Sequence, residues 1–250
     1  MGQLLECNIN IKITIPKGIL YYPCCWDDTI VPIRIFLNKV NQFHFADIHR
    51  IGLPALGEGH ERGRRPTTTV FKDGEFCKGR RGNLIIRPWS VSKSKVCNLN
   101  INQETISFAR TLSENVILIK NPGIYKEIWT NLHDGSKAEV FCHYNDGILT
   151  LSSLEKLSIF FYRGDSIGEG GSGQWWLGPK LFNYLLDKLL DGGLIITDGS
   201  NPDPMYKTVA WSPLWEYGND FTYRNRHFKC LGKLDSSFRS STYVWQVKMI

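Results

Sequence analysis

No stretch of this 250-residue chain stays apolar long enough to span a bilayer. The N-terminus Met1-Gly2-Gln3-Leu4-Leu5 has no basic segment leading into an apolar one, so no signal peptide is expected. Glu6 stands where a myristoylation pattern needs Ser or Thr. The seven cysteines are odd in number and contain no CxxC, and Cys24-Cys25 are adjacent, which disfavours a bridge between them. Reduced thiols and a cytoplasmic location are therefore expected. The six histidines are scattered without HxxxH spacing, so no metal site is expected. The elbow of a serine hydrolase and the Walker loop of a P-loop NTPase are both read as absent, which disfavours those two classes. Repeats and low-complexity tracts are also missing.

What is there suits a folded domain. Hydrophobic residues make up 42% of the chain, enough for a real core, and the formal net charge is +6. That balance permits an anionic partner without requiring one. Gly, Arg, Pro and Thr crowd residues 50–82, with basic knots at Arg62, Arg64, Arg65 and at Lys78, Arg80, Arg81. This stretch offers nucleic acid or an anionic small molecule a phosphate grip, or it is a solvated insertion whose charges keep it soluble.

The late half carries the most ordered signal. Leu157 to Tyr162 reads as a buried strand, followed by the polar loop Arg163 to Gly178. Pro179 opens a helix over Lys180–Leu190, with Leu181, Tyr184, Leu185, Lys188 and Leu189 at helical spacing. Asp191-Gly192-Gly193 is expected to end it, and Leu194 to Thr197 forms the next strand. The early half repeats the pattern. Gly18 to Tyr22 reads as a strand and Pro23 to Thr29 as a turn in which Asp28 or Thr29 caps a helix. Phe43 to Ile48 is a second strand with Asp47 near its end.

Between these halves, residues 83–100 are expected to form a β-hairpin, and Glu104 to Thr111 is ambiguous between strand and helix. Asn115 to Lys120 is expected as a strand, Ile124 to Leu132 as a short helix, and Ala138 to Tyr144 as a strand before the Asn145-Asp146-Gly147 turn. Trp211, Trp215, Tyr217, Phe221 and Tyr223 form an aromatic cluster. Phe228–Leu234 and Thr242–Lys248 read as a terminal antiparallel hairpin.

The expected fold is α/β: one Rossmann-like domain over residues 1–250 with a mostly parallel sheet, helices on both faces, a β-rich insertion at 50–115 and the C-terminal hairpin. Ligands of such sheets sit beyond the carboxyl ends of the strands.

Two strand–helix–strand units and a closing hairpin resemble the class I S-adenosylmethionine-dependent methyltransferases. The likeness covers Gly18–Ile48 and Leu157–Lys248. The family's glycine-rich first motif is replaced by Pro23-Cys24-Cys25-Trp26-Asp27, and no Asn-Pro-Pro-Tyr follows the fourth strand. The resemblance implies methyl transfer from S-adenosylmethionine. The cofactor would lie on Tyr22, Pro23, Cys24, Asp27, Asp28 and Ser166, with Asp47 on its ribose. Asp165, Arg163 and Glu169 would be the catalytic candidates, Asp165 first as proton acceptor. In simpler terms, Asp165 caps its own loop, the glycines at 168, 170, 171 and 173 form a plain lid, and Trp175 and Trp176 pack a core edge rather than stack on a base. The alternative function is a module without methyltransferase activity that binds nucleic acid or a protein.

Overall fold

The computed structural model describes residues 14–26, 28–37, 39–49, 51, 54, 77–79, 82–84, 89–93, 97–98, 101–163, 172–198, 219–233 and 242–250. In chain order these form β1 (Ile19–Pro23), α1 (Ile30–Phe36), β2 (Gln42–Asp47), β3 (Cys77–Gly79), β4 (Gly82–Leu84), β5 (Trp89–Lys93), β6 (Cys97–Asn98), α2 (Gln103–Leu112), β7 (Gly123–Asn131), β8 (Lys137–Tyr144), α3 (Gly147–Ser153), β9 (Leu157–Tyr162), α4 (Pro179–Lys188), β10 (Leu189–Thr197), β11 (Asp220–Tyr223), β12 (Arg226–Lys233) and β13 (Tyr243–Met249).

One sheet collects eleven of the strands. Ten follow the order β11-β12-β13-β10-β9-β1-β2-β8-β7-β5, and β6 pairs with β7 beside them. The inner ladders β10–β9, β9–β1, β1–β2 and β2–β8 are parallel. The outer ones are antiparallel: β10–β13, β13–β12 and β12–β11 on one flank, β8–β7, β7–β5 and β7–β6 on the other. β3 and β4 make a separate two-stranded ribbon.

Burial explains the inner strands. β1 and β9 are buried at every position and, Ser158 apart, apolar, as suits strands covered on both faces. Alternate residues enter two different cores. Leu20, Tyr22, Phe43, Phe45, Ile159, Phe161, Leu194 and Ile196 pack with Ile33, Phe36 and Leu37 around α1. Ile19, Tyr21, Ala46, Phe160, Tyr162 and Ile195 pack on the opposite face with α2, α3 and α4. From α4 that second core receives Leu181, Phe182, Leu185 and Leu186, each contributing about 2 kcal/mol by burial.

The Rossmann-like expectation is corrected by this architecture. The protein is mostly β, its sheet is mixed rather than mostly parallel, and only four helices occur among the described residues. Three of the four gather on one face, leaving the seven-residue α1 on the other.

Several local expectations change as well. Asn115–Lys120 joins no ladder, with Ile117 43% and Leu118 51% exposed. The segment is held instead by side chains: Asp146 accepts from the Ile117 amide at 3.0 Å, and Gln174 donates to the Asn115 carbonyl at 2.6 Å. Ile124–Leu132 is not a helix; nearly all of it lies in β7, whose Trp129 and Glu127 are buried toward the α1 core. The expected hairpin at 83–100 is absent among the described residues, because β5 and β6 both pair with β7. Asp191-Gly192-Gly193 does not end α4 but continues β10 through a register shift against β9, where Gly192 takes φ +73°.

Other expectations agree with the observed elements. β1, α1, β2, β8, β9 and the β12–β13 hairpin lie within a few residues of their expected places, and 104–111 resolves to helix. Asn145-Asp146-Gly147, expected as a turn between strands, instead opens the helix α3, with Asp146 as its cap accepting from the amides of Ile148 and Leu149. The expected side-chain cap of α1 is not made: Thr29 occupies the cap position without a side-chain hydrogen bond, and Asp28 is engaged by Arg163 and Tyr22. No helix among the described residues is long and apolar enough to cross a membrane.

Candidate functional site

Strand order reverses at β1. The β1–α1–β2 unit runs to one side and β9–α4–β10 to the other, so the carboxyl ends of β1 and β9 lie at the switch point where parallel sheets generally place a ligand crevice. Tyr22, Pro23, Cys24, Asp28, Asp47 and Arg163 all come to this edge. Asp27, Asp165, Ser166 and Glu169 lie outside the described residues.

The turn after β1 is bent unusually. Cys24 and Trp26 both take left-handed backbone, φ 52° and 46°. For residues with a Cβ this costs about 1 kcal/mol or more each, so something must hold it. Asp47, at the end of the neighbouring strand, does. One carboxylate oxygen accepts from the Trp26 amide at 2.9 Å and the other from the His49 amide at 2.8 Å. Burial pushes the Asp47 carboxyl above its usual range, and the two amides partly offset that.

A second cluster locks β1 to β9. Arg163 donates to Asp28 through Nε at 2.7 Å and through a terminal nitrogen at 2.9 Å, a two-pronged ion pair. The Tyr22 hydroxyl donates to Asp28 at 3.0 Å and lies 3.1 Å from the Arg163 carbonyl. Arg163 is 5% exposed and its guanidinium sits over the Phe161 ring. Burial works against its charge, but the Asp28 carboxylate outweighs that and raises its pKa. Burial, then the nearby Asp28 charge, pushes the Tyr22 hydroxyl well up, so it stays protonated.

Above these clusters the half-buried Trp26 and His49 meet edge to face, ring centres 5.2 Å apart. They make an aromatic ledge beside Asp47. His49 was not a sequence candidate; its position two residues past an acid-tipped strand was the available signal. Cys24 is half-buried at the same edge, and Cys25 is buried, its thiol pushed up by desolvation. Trp176 is 1% exposed and packs against Tyr21, Phe160 and Tyr162, a core position rather than a surface for stacking.

The arrangement fits S-adenosylmethionine in part. The Trp26 and His49 rings stand at 82° to each other, so a flat heteroaromatic ring stacks on one of them at a time. Asp47 can meet a ribose hydroxyl only through lone pairs left over from two amide bonds, on a residue 7% exposed. Asp28 is already engaged by Arg163 and Tyr22.

Two patterns stand in the sequence that follows β9. Gly164-Asp165-Ser166-Ile167-Gly168 has the GxSxG spacing, so the ground for disfavouring a serine hydrolase is corrected. Gly168 to Gly173 has GxGxxG spacing. Both follow β9, and residues 164–171 lie outside the described residues.

No protein-family model, curated protein or solved structure matches the chain.

Proposed function

We propose that the crevice at the carboxyl ends of β1 and β9 binds a nucleoside-type small molecule. S-adenosylmethionine is the candidate ligand, and methyl transfer the corresponding activity. One observation carries this reading: the Trp26–His49 ledge stands on a strained turn, latched by Asp47, at the point where strand order reverses. The missing glycines in that turn argue against a pyrophosphate grip, which favours a nucleoside without a diphosphate.

In this reading Trp26 and His49 orient the base and Asp47 keeps their backbone in place. The Arg163–Asp28–Tyr22 cluster fixes where the chain leaves β9. S-adenosylmethionine, when bound, would supply an electrophilic methyl group. The chain's share of the chemistry is alignment at the crevice.

Calorimetric titration with S-adenosylmethionine, S-adenosylhomocysteine and adenosine tests the reading. Binding with a dissociation constant on the order of 100 μM or tighter is expected, and Trp26→Ala should weaken it by about tenfold or more. No heat from any of the three at millimolar concentration refutes it. The basic residues of 50–82 favour the alternative, a nucleic-acid-binding module; strongly salt-dependent nucleic-acid binding without nucleoside binding would select it.

A further inference from the structure

Two histidines lie inside the sheet, away from the crevice. His44 on β2 and His143 on β8 occupy the same face of adjacent parallel strands, where Phe141 is the register partner of His44 and Ala46 that of His143. They are 8% and 3% exposed. Their rings stack at 26° with centres 5.1 Å apart, and His44 Nδ1 lies 2.9 Å from His143 Nε2. Phe141 stacks on His44 at 4.4 Å.

An N···N contact of that length needs one ring to donate and the other to accept, so at least one facing nitrogen must be unprotonated. The outward nitrogens, His44 Nε2 and His143 Nδ1, have no hydrogen-bond partner among the described residues. Two charged rings facing each other here would lose the hydrogen bond and repel in a poorly solvated place.

Nothing described nearby would compensate a charge on the pair. Lys126 on β7 points over the Phe141 ring and pairs with Glu139 of β8, so its cation opposes a positive charge on His44. Asp146 is turned to the amides of Ile117, Ile148 and Leu149. α3 has no titratable side chain, and α2 turns Glu104 and Arg110 to solvent.

We propose that His44 and His143 form an acid-sensitive seam between β2 and β8: the neutral pair holds the strands together, a first proton places an uncompensated charge in the junction, and a second abolishes the shared hydrogen bond and loosens it. β2 also carries Asp47, so opening the seam reaches the latch on the β1 turn.

The sign follows from burial. Desolvation lowers both histidines, His143 to about 4 and His44 well below its ordinary value, where the neighbouring His143 and Lys126 add to the effect. The unfolded chain takes up these protons near pH 6.5. The seam's contribution is therefore whole above about pH 6.5 and is lost as pH falls from there toward about 4, by at most about tenfold in opening equilibrium per pH unit per proton.

Hydrogen exchange of the full-length protein at pH 7, 6 and 5, corrected for intrinsic exchange, tests this. Amides of β2 and β8 should lose protection as pH falls, while those of β12 and β13 keep theirs. In His143→Phe the difference between the two regions should shrink, since one of the two proton sites is gone, and in His44→Phe combined with His143→Phe it should vanish. Unchanged protection of β2 and β8 between pH 7 and 5, or an equal pH-dependent loss in His143→Phe or in the double variant, overturns the proposal. Should those variants not fold, nitrogen-15 spectra of the wild-type histidines decide: two rings still neutral at pH 5.5 support the seam, and titration of either at its ordinary pKa overturns it.

Discussion

The two flanks of β1 are built differently. On one side β9 and the end of β10 are buried on both faces, and the antiparallel β13, β12 and β11 follow. On the other side β2 and β8 lead to β7, a strand that is only partly buried and carries Lys126 and Glu127. The first flank carries no buried charge in β9 or the end of β10 among the described residues, its buried polar residues there being Ser158 and Thr197. The second places a histidine pair, a lysine–glutamate pair and a buried glutamate within three neighbouring strands. A strand covered on both faces needs only apolar residues, whereas a half-covered one takes its identity from its neighbours.

The largest test of that contrast compares truncations. Phe161→Ala on β9 should cost about 4 kcal/mol, because the ring is fully buried and supports both Tyr22 and Arg163. Ile128→Ala on β7, only partly buried, should cost about 1 kcal/mol. Urea denaturation measures both, and equal losses would erase the distinction between the flanks.

Next in size is the link across the crevice. Arg163→Leu leaves the Asp28 carboxylate without its cation, though the Tyr22 hydroxyl still donates to it, and should cost about 3 kcal/mol, held down by the 22% exposure of Asp28. Arg163→Leu combined with Asp28→Asn should recover part of this. A double variant no more stable than Arg163→Leu alone would show that lost packing, not an orphaned charge, sets the cost.

A smaller effect is expected at Gly147, where β8 meets α3. A Cβ there would stand 2.8 Å from the Trp176 ring and 3.1 Å from Pro23. Gly147→Ala should cost about 2 kcal/mol, with a shift in tryptophan fluorescence as the indole is displaced. The smallest is at the β10 irregularity. Gly192 has open space around its missing Cβ but a left-handed φ of +73°, so Gly192→Ala should cost about 1 kcal/mol, visible as a small drop in melting temperature. A cost near that of Gly147→Ala would mean that space, rather than backbone conformation, is limiting there.

Legibility followed the same division. Leu157–Tyr162 and Gly18–Tyr22 are apolar runs that suit little except buried strands, and both appear close to where they were expected. Val116 to Ile119 is just as apolar but is no strand; Asp146 takes the Ile117 amide from 29 positions away and Gln174 the Asn115 carbonyl from 59. Ile124, Ile128 and Leu132 repeat every four residues, as a helix would, yet β8 on one side and β5 on the other extend the segment. At the crevice, the acids were conspicuous but their engagement was not. Adjacent residues say nothing of Arg163 reaching Asp28 across 135 positions, or of Asp47 accepting from the Trp26 amide.

The order of residues alone determined which segments are buried on both faces, since a run of Leu, Ile, Phe and Tyr has no solvent-facing solution. It also determined that an acid, Asp47, ends β2. The folded chain decided which strands lie side by side, and so which polar groups find partners. Hydrogen bonds and ion pairs act over a few ångströms, and only folding brings residues a hundred positions apart within that reach.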